Sequence, residues 1–260
     1  MERVLDVREI TKYYINTNFI IKALDCVSFR VARGEFTAIL GASASGKSTL
    51  LNIIATIDRA SAGEIFIGGI RITNQKENRL AALRRDRLGF IFRDYNFLES
   101  MTIEENIALS LFLQRENPRV IREKLHCIAE ILGITGILSS HPQELSIIQR
   151  QHAACARAII TQPALILADE PTGALDGANS QALMETFQQM HAHMGATILM
   201  ATHDPQIASY ARRILFLKDG RLSGEILRGE RTNRALLRDI RTFLASREDD
   251  TTSTHDFPRL

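Results

Sequence analysis

The apolar run Phe36-Thr37-Ala38-Ile39-Leu40 passes directly into Gly41-Ala42-Ser43-Ala44-Ser45-Gly46-Lys47-Ser48, and then into Thr49-Leu50-Leu51. A short continuous apolar run closed by glycine suits a strand buried on both faces, and the residues after Lys47 open a helical stretch. The segment between them fits GxxxxGK[S/T] in the strand, loop and helix setting that gives the pattern its meaning. Such a loop wraps a polyphosphate with backbone N–H groups, and side chains on it hold the ligand off. Gly41 and Gly46 are therefore read as the positions of close approach, within a nucleotide-binding set of Gly41, Ala42, Ser43, Ala44, Ser45, Gly46, Lys47, Ser48 and Thr49. Lys47 supplies the counter-charge for β- and γ-phosphates, and the Ser48 hydroxyl a ligand for Mg²⁺.

A second acidic site lies far downstream. Asp169 ends the apolar run Leu165-Ile166-Leu167-Ala168, and Glu170 follows it. Adjacent carboxylates leaving a buried strand are poor structure, because burial penalises the charged form. In a strand their side chains point to opposite faces, which gives Asp169 to the metal and Glu170 to an attacking water as general base.

The rest of the chain supplies the frame. Residues from Leu5 to Ile10 and from Val27 to Val31 alternate apolar and polar, as half-buried antiparallel strands do, whereas 36–40 and 164–168 read as buried parallel strands. Ala196 to Ala201 precedes a helix starting near Pro205, and Ile214 to Lys218 ends in the turn signal Asp219-Gly220. This is an α/β order with a mostly parallel central sheet and an N-terminal antiparallel β subdomain. Between the two buried runs, about 78–161, helical spacing dominates, as in Ile121, Leu125, Ile128 and Leu132, which predicts an inserted helical subdomain. The segment 229–260 reads as an amphipathic helix through Leu236, Leu237, Ile240 and Phe243, followed by a polar tail from Arg247 expected to be disordered.

Charge and cysteine usage narrow the function. With 32 basic against 30 acidic residues the net charge is +2, which provides no field to hold a polyanion and argues against nucleic acid as a partner. The three cysteines are scattered and odd in number, matching neither a disulfide framework nor zinc-ligand spacing. No run reaches the roughly 18 apolar residues of a membrane span, so a membrane role is expected to come through a partner.

Beyond the loop and the acidic pair, Glu170-Pro171-Thr172-Gly173-Ala174-Leu175-Asp176 and, after another buried strand, Thr202-His203-Asp204-Pro205 complete an ordered set. Over nearly its whole length the chain resembles ATP-binding subunits of ABC transporters. The resemblance implies a P-loop NTPase of ABC type over 1–228, with ATP and Mg²⁺ as ligands. It implies an ATPase dimer, homo- or heteromeric, on a separate membrane permease, hence a cytoplasmic position at the inner face of the membrane. It further implies that Tyr14 stacks on adenine, that His203 contacts the γ-phosphate, and that Ser146, Gln149 and Asp176 reach the opposite subunit. GASxSGKSTLLN, GFIFxDYN, FxxSMTIEENI and ADEPTGALD resemble the subgroup serving macrolide export, lipoprotein release and antimicrobial-peptide resistance. The C-terminal segment is most similar to the bacitracin-type members, and Tyr95-Asn96-Phe97-Leu98 is the surface the family offers to the permease.

Three positions depart from the family pattern. Leu145-Ser146-Ile147-Ile148-Gln149 stands where Leu-Ser-Gly-Gly-Gln is usual. Isoleucine there resists positive φ and fills the space a phosphate oxygen enters. Arg93 stands where a glutamine usually orients the attacking water, and it neither accepts a hydrogen bond nor tolerates a neighbouring cation. Ala44 replaces a glycine in the loop. The expectation is an ATPase that binds nucleotide through its own loop and hydrolyses it slowly; the alternative is a hydrolysis-impaired, nucleotide-gated regulatory subunit.

Overall fold

A computed structural model describes residues 2–16, 19–92 and 94–252. The first two strands, β1 (Arg3–Asn16) and β2 (Phe19–Ala32), pair antiparallel, and β1 also pairs with β4 (Ala62–Ile67), which carries the short β5 (Ile70–Arg71). The second sheet has the order β10-β9-β3-β8-β7-β6, built from β3 (Phe36–Leu40), β6 (Leu88–Ile91), β7 (Leu165–Asp169), β8 (Ile198–Thr202), β9 (Arg213–Lys218) and β10 (Arg221–Leu227). Its strands run parallel except for the antiparallel β9–β10 hairpin. Asp219 and Gly220, both at positive φ, close that hairpin with the geometry the Asp-Gly signal predicts.

Side-chain alternation in the central strands feeds two cores. Phe36, Ala38 and Leu40 enter one with Ile166 and Ala168, whereas Ile39, Leu165 and Leu167 enter the other, between the sheets. Helix α1 (Lys47–Ile54) fills the inter-sheet core with Leu50, Leu51, Ile53 and Ile54. The opposite core takes α3 (Ile103–Leu113), α4 (Pro118–Ile131), α5 (Ile147–Ile159), α6 (Gly177–Met194) and the four-residue α7 (Pro205–Ala208), while α2 (Glu77–Arg87) adds Leu80 and Leu83 to the inter-sheet core.

Two expectations are corrected. The stretch 78–161 is not helical throughout, since β6 lies inside it and pairs with β7. Four residues are too few to display a strand period, and Gly89 marks the strand only in three dimensions: a Cβ there would lie 2.3 Å from the Ala158 carbonyl oxygen of α5. The C-terminal helix α8 (Asn233–Thr252) also runs beyond Arg247, into the residues read as a tail. Leu236 and Ile240 are fully buried and Phe243 packs 4.1 Å from the Phe216 ring, so a helix nucleated there gains one hydrogen bond per added residue.

Candidate nucleotide-binding site

The loop after β3 sits at the carboxyl ends of the parallel strands, where open α/β sheets bind ligands. Register brings Leu40 beside Thr202 and Asp169 beside Ala201, so the loop, the acidic pair and His203 share one sheet edge. Gly41 and Gly46 meet a further demand, beyond the close approach of a phosphate expected from the sequence. A Cβ at Gly41 would lie 2.2 Å from the Leu217 carbonyl oxygen, and one at Gly46, where φ is 102°, would lie 2.5 Å from that of Ala23. Both glycines make room for the protein's own backbone, against β9 and β2. The hairpin also braces the loop directly, through Gly220 N–H to the Ser45 carbonyl at 3.1 Å.

Ala44 holds φ at 63°, in the left-handed region that L-residues avoid. Ala44→Gly is expected to raise the unfolding free energy by about 0.5 kcal/mol, the relief of strain less glycine's larger entropy loss. Urea denaturation of the two proteins checks this, and a lower midpoint for the glycine variant would show that Ala44 is not strained.

The loop suits a phosphate. Gly46 caps α1 without a side chain, leaving the first-turn N–H groups for an anion. Lys47 is 5% exposed; its Nζ donates to the Gly41 carbonyl at 2.9 Å and the Ala42 carbonyl at 2.8 Å, and lies 3.8 Å from Glu170 Oε1. An ammonium has three N–H donors, so one is left for a phosphate oxygen. Ser48 Oγ donates to Asp169 Oδ1 at 3.2 Å, bringing the two expected Mg²⁺ ligands together. Burial pushes the Asp169 carboxyl up, opposed by that hydrogen bond. A hydroxyl and one carboxylate suit Mg²⁺, which takes one or two protein carboxylates and completes its shell with phosphate oxygens and water.

Glu170 corrects the opposite-faces argument. The strand ends at Asp169, and Glu170 turns out of it at φ 46°, so period-two alternation no longer applies. Its carboxylate comes back to the loop, with Oε2 2.9 Å from His203 Nδ1. Glu170, His203, Lys47, Ser48 and Asp169 thus form one connected group.

Other residues of the implied set lie apart from it. The Tyr14 hydroxyl donates to Asp58 Oδ2 at 2.9 Å and its ring takes the Lys12 ammonium 4.7 Å from the centroid, with 43% of the residue still exposed. Ser146 and Gln149 cap their own helix reciprocally: Ser146 Oγ accepts from Gln149 N–H at 3.4 Å, and Gln149 Oε1 accepts from Ser146 N–H at 2.9 Å. Ile147 and Ile148 occupy the first two helical positions at ordinary negative φ, so isoleucine meets no positive-φ strain there, contrary to the expectation, and only its bulk counts against a phosphate. Asp176 caps α6 through Asn179 N–H at 2.9 Å. Arg93 lies outside the described residues. Sequence reasoning missed Gln151, a buried polar residue in register with buried Ala154, Cys155 and Ala158; that helical spacing was its signal.

Fold and site together define a P-loop nucleotide-binding protein. The ABC transporter family profile matches residues 24–173, and the chain belongs to that family, as one of its ATP-binding proteins. It is 50% identical over 230 residues to the ABC transporter ATP-binding protein YxdL of Bacillus subtilis, covering 88% of this chain and 89% of that one. It is 42% identical over 240 residues to the bacitracin export ATP-binding protein BceA of Halalkalibacterium halodurans, covering 91% and 94%. The dimeric ATP-binding cassette MJ0796 of Methanocaldococcus jannaschii, solved in a post-hydrolysis state with ADP and Pi, matches with a TM-score of 0.78 at 33% identity, over 86% of this chain and 98% of that one.

Proposed function

We propose that this chain hydrolyses ATP slowly as one half of a cassette dimer and drives a separate membrane permease, in the service of peptide resistance or export. The observation that carries the reading is the single cluster of Lys47, Ser48, Asp169, Glu170 and His203. Lys47 and the loop amides hold the β- and γ-phosphates, Ser48 and Asp169 are the groups for Mg²⁺, and Glu170 takes the proton of the attacking water while His203 fixes its carboxylate. Bound Mg²⁺ neutralises phosphate charge. The bacitracin export named for one relative supports the peptide-resistance reading, and the ADP- and Pi-bound dimer of another supports nucleotide binding in a cassette dimer. Among the described residues no helix is long and apolar enough to cross a membrane.

The permease-facing surface is held in place by Arg157, which donates to the Asn96 carbonyl at 2.7 Å and to the Tyr95 carbonyl, and lies 4.7 Å over the Phe97 ring. Burial lowers its pKa to about 10. Leu98 beside it is 49% exposed.

Slow hydrolysis follows from the N-terminus of α5. Ile147 is 49% exposed at its first position, and in the cassette dimer we propose its side chain would crowd the backbone N–H groups that this helix end offers to a phosphate of the opposite subunit. The chain, isolated from membranes with the proteins that accompany it, is expected to bring down a permease and to turn over ATP below about 1 per second. Ile147→Gly is expected to raise turnover roughly tenfold to hundredfold, the scale of one preorganised phosphate donor; Ile148→Gly is the harsher change, because Ile148 packs on the core. Arg93→Gln completes the series. Fast turnover by the parent, or reversions without effect, would sink the proposal of slow hydrolysis; absence of hydrolysis throughout would favour the nucleotide-gated clamp.

A further inference from the structure

Gln151 lies in α5, on the face that carries Ala154, Cys155 and Ala158 into the core, and its side chain is fully buried. Its Nε2 donates to the Pro171 carbonyl oxygen, in the residue directly after Glu170. The amide orientation is fixed by chemistry, since a carbonyl only accepts. Oε1 has no hydrogen-bond partner among the described residues. A buried carboxamide with one end unsatisfied is a costly way to fill space, and methionine would fill it without that cost. What glutamine adds is the donor to Pro171.

That carbonyl belongs to a segment whose backbone needs support. Glu170 is a non-glycine residue at φ 46°, held by its N–H to the Ala201 carbonyl at 3.0 Å and by Gly173 N–H to its own carbonyl at 3.0 Å. Such a conformation persists only where the surroundings over-determine it. Gln151 fixes the next peptide unit. His152, following on α5, reaches α6 instead, with Nε2 3.2 Å from Thr186 Oγ1. The single Thr186 hydroxyl hydrogen goes to the Ala182 carbonyl at 3.2 Å, so His152 is the donor. Burial pushes the His152 pKa down, consistent with a neutral ring. Helix α5 therefore grips both Pro171 and α6, the helix capped by Asp176.

We infer that Gln151 is a positioning residue for hydrolysis, which sets the Glu170 carboxylate and ties it to the placement of α5, the helix that Ser146 caps. This rests on Glu170 acting as the base. When α5 tilts, Pro171 follows, and the base moves with it; a partner docking at the α5 N-terminus is thereby felt at the catalytic carboxylate.

The test is Gln151→Met in the full-length Ile147→Gly protein, where hydrolysis is fast enough for a loss at the base to show, with Gln151→Ala as companion should the thioether pack poorly. In the folded variants kcat falls tenfold to hundredfold, the cost of a misplaced catalytic group, while nucleotide affinity stays within twofold. The His203 imidazole resonances, read by NMR without nucleotide, shift as Glu170 moves. Unchanged kcat, affinity falling in step with kcat, or unfolding of both variants overturns the assignment and leaves Gln151 a packing residue. If neither the wild-type chain nor Ile147→Gly shows hydrolysis, the base role of Glu170 falls, and unmoved His203 resonances in a folded variant overturn the Gln151 assignment independently.

Discussion

Lys47→Ala leaves a folded chain whose affinity for magnesium nucleotide has dropped at least about a hundredfold, on the order of 3 kcal/mol, the scale of one or two charge-assisted hydrogen bonds. The ammonium is buried and already held by two loop carbonyls, Gly41 at 2.9 Å and Ala42 at 2.8 Å. The charge is thus delivered to the phosphates without the entropy of ordering a free lysine, and in surroundings that screen it poorly. Alanine keeps the first helical position of α1, and the loop, though it loses the two lysine hydrogen bonds along with its only side-chain cation, stays braced by Gly220 N–H to the Ser45 carbonyl at 3.1 Å. Calorimetric titration with Mg-ATP at constant ionic strength reads the loss directly. A variant that binds as tightly as its parent would mean that the backbone from Gly41 to Ser48 is a structural turn, and the ATPase reading would go with it.

What was legible in the sequence is what is local. Strand, loop and helix from Phe36 to Leu51 follow one another along the chain, so their pattern survives without knowledge of the fold. The acidic pair was legible because Asp169 and Glu170 break an apolar run, but its geometry was not: alternation is a property of a strand, and the strand stops one residue too soon. A second demand on Gly41 comes from Leu217, far away in sequence and placed by the β3–β9 pairing. β6 escaped because four residues carry too little periodicity. Gln151 escaped for a related reason. Its partner is a main-chain carbonyl, which leaves no mark in side-chain sequence, and only its place on a buried helical face betrays it. The extra length of α8 reflects cooperativity, which composition alone does not report.

Glu170→Gln separates binding from chemistry. The amide is isosteric and still meets His203 Nδ1, now 2.9 Å from Oε2, yet it no longer takes a proton from water. General-base catalysis contributes about a hundredfold to ten-thousandfold, so kcat is expected to fall by at least a hundredfold. Affinity moves the other way or not at all: Glu170 Oε1 lies 3.8 Å from Lys47 Nζ, and removing a negative charge beside a triphosphate reduces repulsion while freeing the lysine charge for the ligand. Single-turnover hydrolysis of labelled ATP, with Kd measured on the same preparation, distinguishes the two effects. The comparison is sharpest in the Ile147→Gly background. If the isoleucine slows the parent, the loss on replacing Glu170 has little rate to act upon there, and removing the obstruction first lets the full contribution of the base appear. A fall of less than about threefold in that background means that the proton leaves by another route, whereas kcat and affinity falling together mean that Glu170 shapes the loop and does not act on water.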